Sequence, residues 1–200
     1  MSSASNLPTI TTVTEHSPSE HPQAVPELYT IGHSTHSIER FLGLLRQHQI
    51  RLVADVRSFP SSRRWPQFNQ GELESSLAAA SIAYQWLKAL GGRRHSTRTD
   101  SPHVAWQVPA FRAYADYADT PGFGAGLEQL ITLALATRTA TMCSEGLWWR
   151  CHRRIIADHM HLRGWNIRHV MPDGKLVAHV LAEFASVRDS RIVYDGNQAR

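Results

Sequence analysis

Short apolar runs alternate with amphipathic stretches along the chain from residue 28 onward. Five runs rich in β-branched and aromatic residues are bounded by turn residues, which predicts strands over residues 28–32, 51–56, 82–87, 139–142 and 166–171. Between them apolar residues recur at helical spacing, which predicts helices over residues 38–45, 71–80, 109–117, 123–136 and 155–162. Ser37 is suited to cap the first helix, and Gly164 to end the last.

This alternation of strand and helix predicts the fold class. Strands that alternate with helices form parallel sheets with right-handed crossovers, and apolar strands need cover on both faces. We therefore expect an α/β protein with three layers, α/β/α, and about five mostly parallel strands, of Rossmann-like type. Five strands are too few for a closed eight-stranded barrel.

The two ends of the chain differ from the middle. Residues 1–26 are rich in Ser, Thr and Pro without periodicity, which predicts a disordered tail. Residues 27–186 form the predicted single α/β domain, which closes with a short helix over about 177–186 that packs back on the sheet. Residues 187–200 are expected to be a flexible tail.

Composition narrows the class of protein only modestly. A chain of 200 residues suits one domain, and the net charge of +4 suits an anionic partner, either a small molecule or nucleic acid. No apolar run approaches the roughly 20 residues that span a bilayer, and the start lacks the form of a signal peptide. We expect a cytoplasmic protein without a membrane partner.

Reactive side chains follow the predicted strands. The carboxyl ends of parallel strands share one edge of a sheet, where ligands bind in open α/β folds. In chain order, the residues expected at this edge are Gly32, His33, Ser34, Asp55, Arg57, Ser58, Gly91, Gly92, Cys143, Glu145, Cys151, His152 and Arg153. Residues 143–154 carry both cysteines of the chain on a strand-to-helix turn, where free N–H groups favour anions.

Four short blocks along the chain resemble one family. They are Tyr29-Thr30-Ile31-Gly32-His33-Ser34, residues 52–60 (Leu-Val-Ala-Asp-Val-Arg-Ser-Phe-Pro), Leu90-Gly91-Gly92, and Cys143-Ser144-Glu145 with Cys151-His152-Arg153. Their order and spacing over about residues 28–180 resemble a bacterial and archaeal family catalogued as a domain of unknown function, DUF488. The resemblance implies the fold and which residues matter, and it brings no established activity.

Two kinds of site are disfavoured by spacing. A phosphatase loop needs an arginine six positions after its cysteine, and Trp149 stands there after Cys143. Zinc ligands are available in Cys143, Glu145, Cys151, His152 and His33, but there is no Cys-x-x-Cys pair. Residues 151 and 152, if helical, would also point about 100° apart. We assign no metal, and the sequence identifies no cofactor.

The preferred hypothesis is an enzyme, a hydrolase or transferase, that acts on a phosphate-bearing nucleotide or nucleic acid at this edge. Five residues are the predicted catalytic groups: Glu145, His152, Cys143, Asp55 and His33. Eight are predicted to hold the ligand: Gly32, Ser34, Arg57, Ser58, Gly91, Gly92, Cys151 and Arg153. The aromatic residues Trp65, Phe68, Trp148 and Trp149 are candidates for stacking on a base, and Arg93 is a further anion ligand.

Three alternatives remain open from the sequence. The same arginines and aromatic rings would serve a non-catalytic binding module, and two thiols would serve redox sensing or a thiol or zinc site. Individual residues also fit structural roles: His33 as a helix cap, Asp55 as a partner for loop amides, and Cys143 as an inert buried thiol.

Overall fold

The computed structural model describes residues 25–96 and 98–196, so the predicted N-terminal tail lies almost wholly outside the described residues. Six strands form the main sheet: β1 Glu27–Gly32, β2 Leu52–Asp55, β3 Ala83–Trp86, β4 Thr139–Cys143, β5 Asn166–Val170 and β6 Leu176–Ala178. Five α-helices surround it: α1 Ile38–Gln47, α2 Gln70–Ala79, α3 Pro109–Ala118, α4 Pro121–Ala136 and α5 Arg153–Leu162.

The sheet order is β3-β2-β4-β1-β5-β6, and all pairs are parallel except β5 with β6. The predicted α/β class with about five mostly parallel strands is therefore confirmed. β4 and β1 are central, and β1 runs in register from Tyr29 opposite Ala140 to Gly32 opposite Cys143. The ends of these two strands consequently meet at one place.

Helices cover both faces of the sheet, as an apolar parallel sheet requires. On one face, α1 and α2 bury Phe41, Leu44 and Leu77 against the sheet. On the other face, α3, α4 and α5 contribute to a second core that includes Tyr114 and Ile155. In the described part of the chain, none of the helices combines the length and apolar character that crossing a bilayer would need.

The predicted helix over 177–186 is wrong, because this part of the chain forms strands and loops. Residues 176–178 pair antiparallel with β5, and a hairpin follows: β7 Ser186–Arg188 and β8 Arg191–Val193. Asp189 and Ser190 have φ of 49° and 59°, the left-handed pair that a two-residue hairpin turn requires. The hairpin is held because Ile192 and Tyr194 enter the core, at 1% and 0% exposure.

A row of buried polar groups connects this C-terminal segment to the sheet. The Tyr194 hydroxyl donates to Asp158 (2.8 Å), and the other oxygen of that carboxylate accepts from Nε2 of His179 (2.9 Å). Nδ1 of His179 then meets Nε2 of His169 at 3.0 Å, and Nδ1 of His169 meets the Thr30 hydroxyl at 2.7 Å. Side chains from β1, α5, β5 and the C-terminal segment are thus joined without a break.

Removing the Tyr194 hydroxyl should destabilise the fold. Tyr194→Phe leaves one oxygen of the buried Asp158 carboxylate without this donor, which costs about 1–3 kcal/mol. Denaturant unfolding monitored by circular dichroism would measure the loss. Tyr84→Phe is not a suitable control, because the Tyr84 hydroxyl also donates to a buried carboxylate, that of Asp55. The control is Tyr117→Phe, because the Tyr117 hydroxyl donates only to the backbone carbonyl of Ala89. Equal, negligible losses in both variants would contradict the proposed anchor.

Two histidines, the buried His169 and the half-buried His159, should make stability fall in acid. Burial lowers the pKa of His159 to about 4 and that of His169 to about 2. Both are therefore neutral in the folded state, while in the unfolded chain they take up protons near pH 6.5. Their stabilising contribution is complete above about pH 6.5 and is lost as the pH falls, by about 1.5 kcal/mol each between pH 6.5 and 5.

The test compares unfolding free energies at pH 7 and pH 5 for the unmodified chain and for His159→Leu. The ring of His159 packs edge-on against Phe123 (4.9 Å between centroids), so an apolar replacement preserves the packing. Between pH 7 and pH 5, the unfolding free energy of the variant should fall by about 1.5 kcal/mol less than that of the unmodified chain, because one titrating group is gone. An unchanged difference between the two pH values would contradict this origin of acid sensitivity.

Candidate functional site

A cleft opens where β1 and β4 end. The helix after β1 packs on one face of the sheet and the helix after β4 on the other, so the two following loops diverge and leave a crevice. The loops stay joined at their bases, since the backbone N–H of His33 donates to the carbonyl of Cys143 (2.9 Å) and that of Ser34 to Ser144 (3.0 Å). The cleft encloses about 790 Å³.

The lining of the cleft combines most of the predicted site residues. His33, Ser34, Arg57, Ser58, Gly92, Cys143, Glu145, Cys151 and His152 all contribute to it. Ser34 follows β1 and Ser58 follows β2, and the Ser58 hydroxyl accepts the backbone N–H of Arg93 (2.7 Å). Gly91 packs against the same Ser58 side chain. The cleft therefore combines residues that follow β1, β2, β3 and β4.

All three predicted glycines are required by close approach, Gly91 against Ser58 and the other two at still shorter distances. A Cβ at position 32 would lie 1.9 Å from the carbonyl oxygen of Glu145, and one at position 92 would lie 2.3 Å from Nδ1 of His152. No side chain fits at either position without moving its neighbour. Gly32 and Gly92 thus shape the cleft by letting a loop and an imidazole pack directly on the backbone, a role that differs from the predicted contact with a ligand.

The thiol cluster, formed by Cys143, Cys151 and His152, occupies one end of the cleft. Nε2 of His152 lies 2.9 Å from the carbonyl oxygen of Val56. A carbonyl only accepts, so Nε2 carries the hydrogen and the neutral ring presents an Nδ1 lone pair. Nδ1 lies 3.5 Å from Sγ of Cys151 and 3.9 Å from Sγ of Cys143. The imidazole is thus aimed as an acceptor at both thiols.

The two thiols differ in acidity because their neighbours differ. Burial alone would raise the pKa of Cys151, but the hydrogen bond from Cys143 and the charge and N–H groups of Arg153 lower that pKa to about 6. The hydrogen bond to Cys151, together with burial, raises the pKa of Cys143. When one thiol is ionised, the negative charge therefore resides on Cys151.

Arg153 is committed to the loop that carries the cluster. Its side chain is 1% exposed, its backbone N–H and its Nε each lie 3.5 Å from Sγ of Cys151, and its terminal nitrogen donates to the carbonyl of Glu145. The predicted role as an anion ligand does not fit these contacts. Arg153 fixes the backbone between Glu145 and Cys151 from inside the protein.

Asp55 and Arg57 form a closed buried pair. Both carboxylate oxygens of Asp55 accept from the guanidinium of Arg57, at 2.6–3.0 Å, and one also accepts from the Tyr84 hydroxyl (2.8 Å). Arg57 donates in addition to the carbonyl of Phe68 (2.8 Å). The predicted catalytic role of Asp55 and ligand-binding role of Arg57 do not fit this pairing, which ties β2, β3 and the loop after β2 together.

His33 lines the cleft as a neutral ring. Its side chain is 2% exposed, it stacks on Phe68 with centroids 4.2 Å apart, and its Nδ1 lies 3.0 Å from the carbonyl oxygen of Ser34. Burial, assisted by the nearby guanidinium of Arg57, lowers its pKa to about 4. His33 therefore offers a neutral Nε2 rather than a charge.

The polar and aromatic rim combines the predicted Arg93 and Trp65 with residues that the sequence did not single out. Arg93 and Arg150 are exposed cations of the lining, and Arg93 lies over the ring of Phe59 (5.7 Å). Among the predicted stacking residues only Trp65 lines the cleft. Phe68 is buried under His33, Trp148 stacks on His169, and Trp149 is exposed elsewhere. The lining residues that were not predicted as site residues are Thr35, Phe59, Ser61, Ser62, Ala110, Phe111, Ser144, Gly146 and Arg150.

The thiol cluster has the composition of a metal site, contrary to the sequence argument against one. The three possible ligand atoms of Cys143, Cys151 and His152 lie within 4.8 Å of one another. The objection that positions 151 and 152 diverge on a helix is wrong, because α5 begins at Arg153 and Cys151 has an extended backbone (φ −136°, ψ 149°). Both side chains consequently reach the same point.

The Asp55–Arg57 pair should behave as scaffold when it is broken. Arg57→Met leaves the Asp55 carboxylate buried without its guanidinium, and the free energy of unfolding should fall by about 3–5 kcal/mol. Asp55→Leu combined with Arg57→Met removes both charges and should recover part of that loss. Denaturant unfolding of the single and double variants measures the coupling. A double variant no more stable than the single one would contradict the proposed charge penalty.

Comparison with protein families gives one match. The model of the family described as Domain of unknown function DUF488 matches residues 37–160, which run from α1 through most of α5 and contain the whole thiol cluster. The searches of curated proteins and of solved structures found nothing that matches the chain. The geometry of the cleft is therefore the basis for any functional conclusion.

Proposed function

The chain belongs to the DUF488 family, as the sequence blocks suggested, and we propose that this member is an enzyme acting on a phosphate-bearing nucleotide or nucleic-acid ligand held in the cleft. One observation carries the proposal: the exposed carboxylate of Glu145 and the imidazole of His33 line a cleft whose rim bears Arg93 and Arg150. Acid–base groups and exposed cations that share one cleft suit a reaction on an anionic substrate.

The cleft has the size and lining for a nucleotide. Its volume of about 790 Å³ falls in the range of roughly 300–1,000 Å³ that small-molecule sites occupy. Phe59, Trp65 and Phe111 contribute aromatic surface on which a base can stack. For nucleic acid, the same rings would accept a single unpaired base, with the neighbouring phosphates outside.

The cations available to a phosphate are at the rim. Arg57 and Arg153 are engaged inside the protein, whereas Arg93 and Arg150 are exposed. Guanidinium groups bind phosphate oxygens bidentately, so two of them at the rim can fix one end of the ligand. The other end then extends toward the thiol cluster and Glu145.

The residues at the inner end suit a hydrolase or transferase. Such a reaction needs a group that takes a proton from the attacking water or hydroxyl, and a carboxylate exposed in the cleft serves this purpose. Glu145 is exposed there while its own carbonyl is held by Arg153, so its backbone is fixed and its side chain is accessible. His33 adds a neutral imidazole nitrogen.

Removal of the rim arginines should weaken binding. Labelled mononucleotides and short single-stranded oligonucleotides are titrated at two salt concentrations, and the affinity should fall as salt rises. The double variant Arg93→Ala/Arg150→Ala should bind at least about 100-fold more weakly, because two charge-assisted hydrogen bonds worth about 1.5–3 kcal/mol each are lost and every 1.4 kcal/mol is tenfold. Arg191→Ala, which removes an exposed arginine of the C-terminal hairpin, should bind normally. If neither the mononucleotides nor the oligonucleotides bind at low salt, the proposal is contradicted.

Product formation separates an enzyme from a binding module. After incubation with each ligand that binds, chromatography measures conversion, and Glu145→Gln should retain binding while conversion is lost. Conversion that survives in Glu145→Gln would remove this residue from the reaction. Binding without conversion by the unmodified chain would favour the non-catalytic module instead.

A further inference from the structure

We propose that Sγ of Cys143, Sγ of Cys151 and Nδ1 of His152 bind one divalent ion of the zinc type, whose fourth position faces the cleft. The inference deepens the proposed function, because it assigns a role to the one group of reactive side chains that the arginines and aromatic rings leave unexplained. It rests on four independent features: distances, imidazole orientation, sulfur hydrogen bonds and access from the cleft.

The distances match a tetrahedral ion. Zinc binds thiolate sulfur at about 2.3 Å and imidazole nitrogen at about 2.0 Å, so at a tetrahedral angle the sulfur and nitrogen lie about 3.6 Å apart. In the thiol cluster the separations from Nδ1 of His152 are 3.5 Å to Cys151 and 3.9 Å to Cys143. An ion would therefore fit among the three ligand atoms with small side-chain adjustments.

The imidazole is oriented as a metal ligand. Ligating histidines almost always donate their second ring N–H to a carboxylate or carbonyl, which fixes the tautomer and raises the basicity of the ligand nitrogen. The carbonyl of Val56 accepts from Nε2 of His152 in this way (2.9 Å). Gly92 packs against the ring at its Nδ1 side, and Tyr114 contacts the ring edge-on at 5.0 Å between centroids. The ring is held from several sides with its free nitrogen toward both sulfurs.

The sulfur of Cys151 has the environment of a bound thiolate. The backbone N–H and Nε–H of Arg153 both point at it from 3.5 Å. Hydrogen bonds to sulfur stabilise negative charge and orient the ligand, as outer-shell partners do in metal sites. Two thiolates would together neutralise a divalent ion in this buried place, and thiolate ligands favour zinc over magnesium or calcium.

The fourth position distinguishes a reactive site from a structural one. Structural zinc sites have four protein ligands, whereas catalytic sites have three and a water molecule. Cys143 and Cys151 are 6% and 3% exposed, and both line the cleft with His152. Glu145, two residues after Cys143, lines the same cleft and is suited to accept a proton from water in the fourth position.

Cobalt is the probe of choice because its spectrum reports the ligands. The full chain is purified under a non-thiol reductant, treated with a chelator, and titrated with Co²⁺ alone. We expect saturation at one ion per chain, a sulfur-to-cobalt charge-transfer absorption and the strong visible bands of a tetrahedral site. Zn²⁺ should then displace Co²⁺ and raise the melting temperature.

Matched variants locate the ion. Cys143→Ser, Cys151→Ser and His152→Ala should each weaken Co²⁺ binding by more than about 100-fold, since loss of even an outer-shell partner costs 10- to 100-fold. Gly92→Ala keeps all three ligands but pushes on Nδ1 of His152, and it should weaken binding too. His95→Ala removes an exposed histidine outside the cleft and should bind normally. Circular dichroism confirms that each variant is folded.

Two results would overturn the inference. One is a cobalt complex without the charge-transfer absorption, which would place the ion on histidines elsewhere. The other is unchanged binding by a folded Cys143→Ser/Cys151→Ser double variant. Nucleotide binding is measured separately on the chelator-treated chain, so a failed metal site and a failed nucleotide site give different results.

Discussion

The hydrogen bond from His152 to the carbonyl of Val56 determines what the cleft can do. It connects the start of α5 to the end of β2, two places that are 96 residues apart in the chain. Without it the imidazole could rotate, and neither of its nitrogens would be reserved for the thiols. With it, Nδ1 is left as an acceptor that faces the sulfur atoms of both cysteines. The buried contacts of Gly92 and Arg153 serve the same arrangement from two other directions.

Two arginines that were predicted to bind the ligand make their contacts inside the protein. Arg57 and Arg153 use their charges on Asp55, on Cys151 and on backbone carbonyls, and both are nearly fully buried. Displacing a buried guanidinium from its acceptors is costly, so these contacts hold the attached loops in place. This commitment leaves contact with ligands to the exposed Arg93 and Arg150, which lie on two different loops that line the cleft.

Some of these outcomes were available in the sequence and others were not. Asp55 and Arg57 stand two positions apart at a strand end, and alternation places such side chains on the same side, so their pairing had a local signal. The strands and the shared edge followed from hydrophobic periodicity, which is a local property. Phe111 reaches the cleft only through the docking of α3, a long-range event. The extended backbone of Cys151 depends on the residue at which α5 begins, and helix ends are the least certain feature of a sequence prediction.

In the buried row from Tyr194 to Thr30, each imidazole ring bonds a neighbour on both sides, so the direction of one hydrogen bond fixes the direction of the next. Asp158 accepts at one end, so Nε2 of His179 always carries a hydrogen toward it. With its hydrogen on Nε2, His179 accepts at Nδ1 from Nε2 of His169, and Nδ1 of His169 accepts from the Thr30 hydroxyl. The Asp158 carboxylate on α5 thereby sets the direction in which a hydroxyl group of the central strand donates, and the end of that strand forms one wall of the cleft.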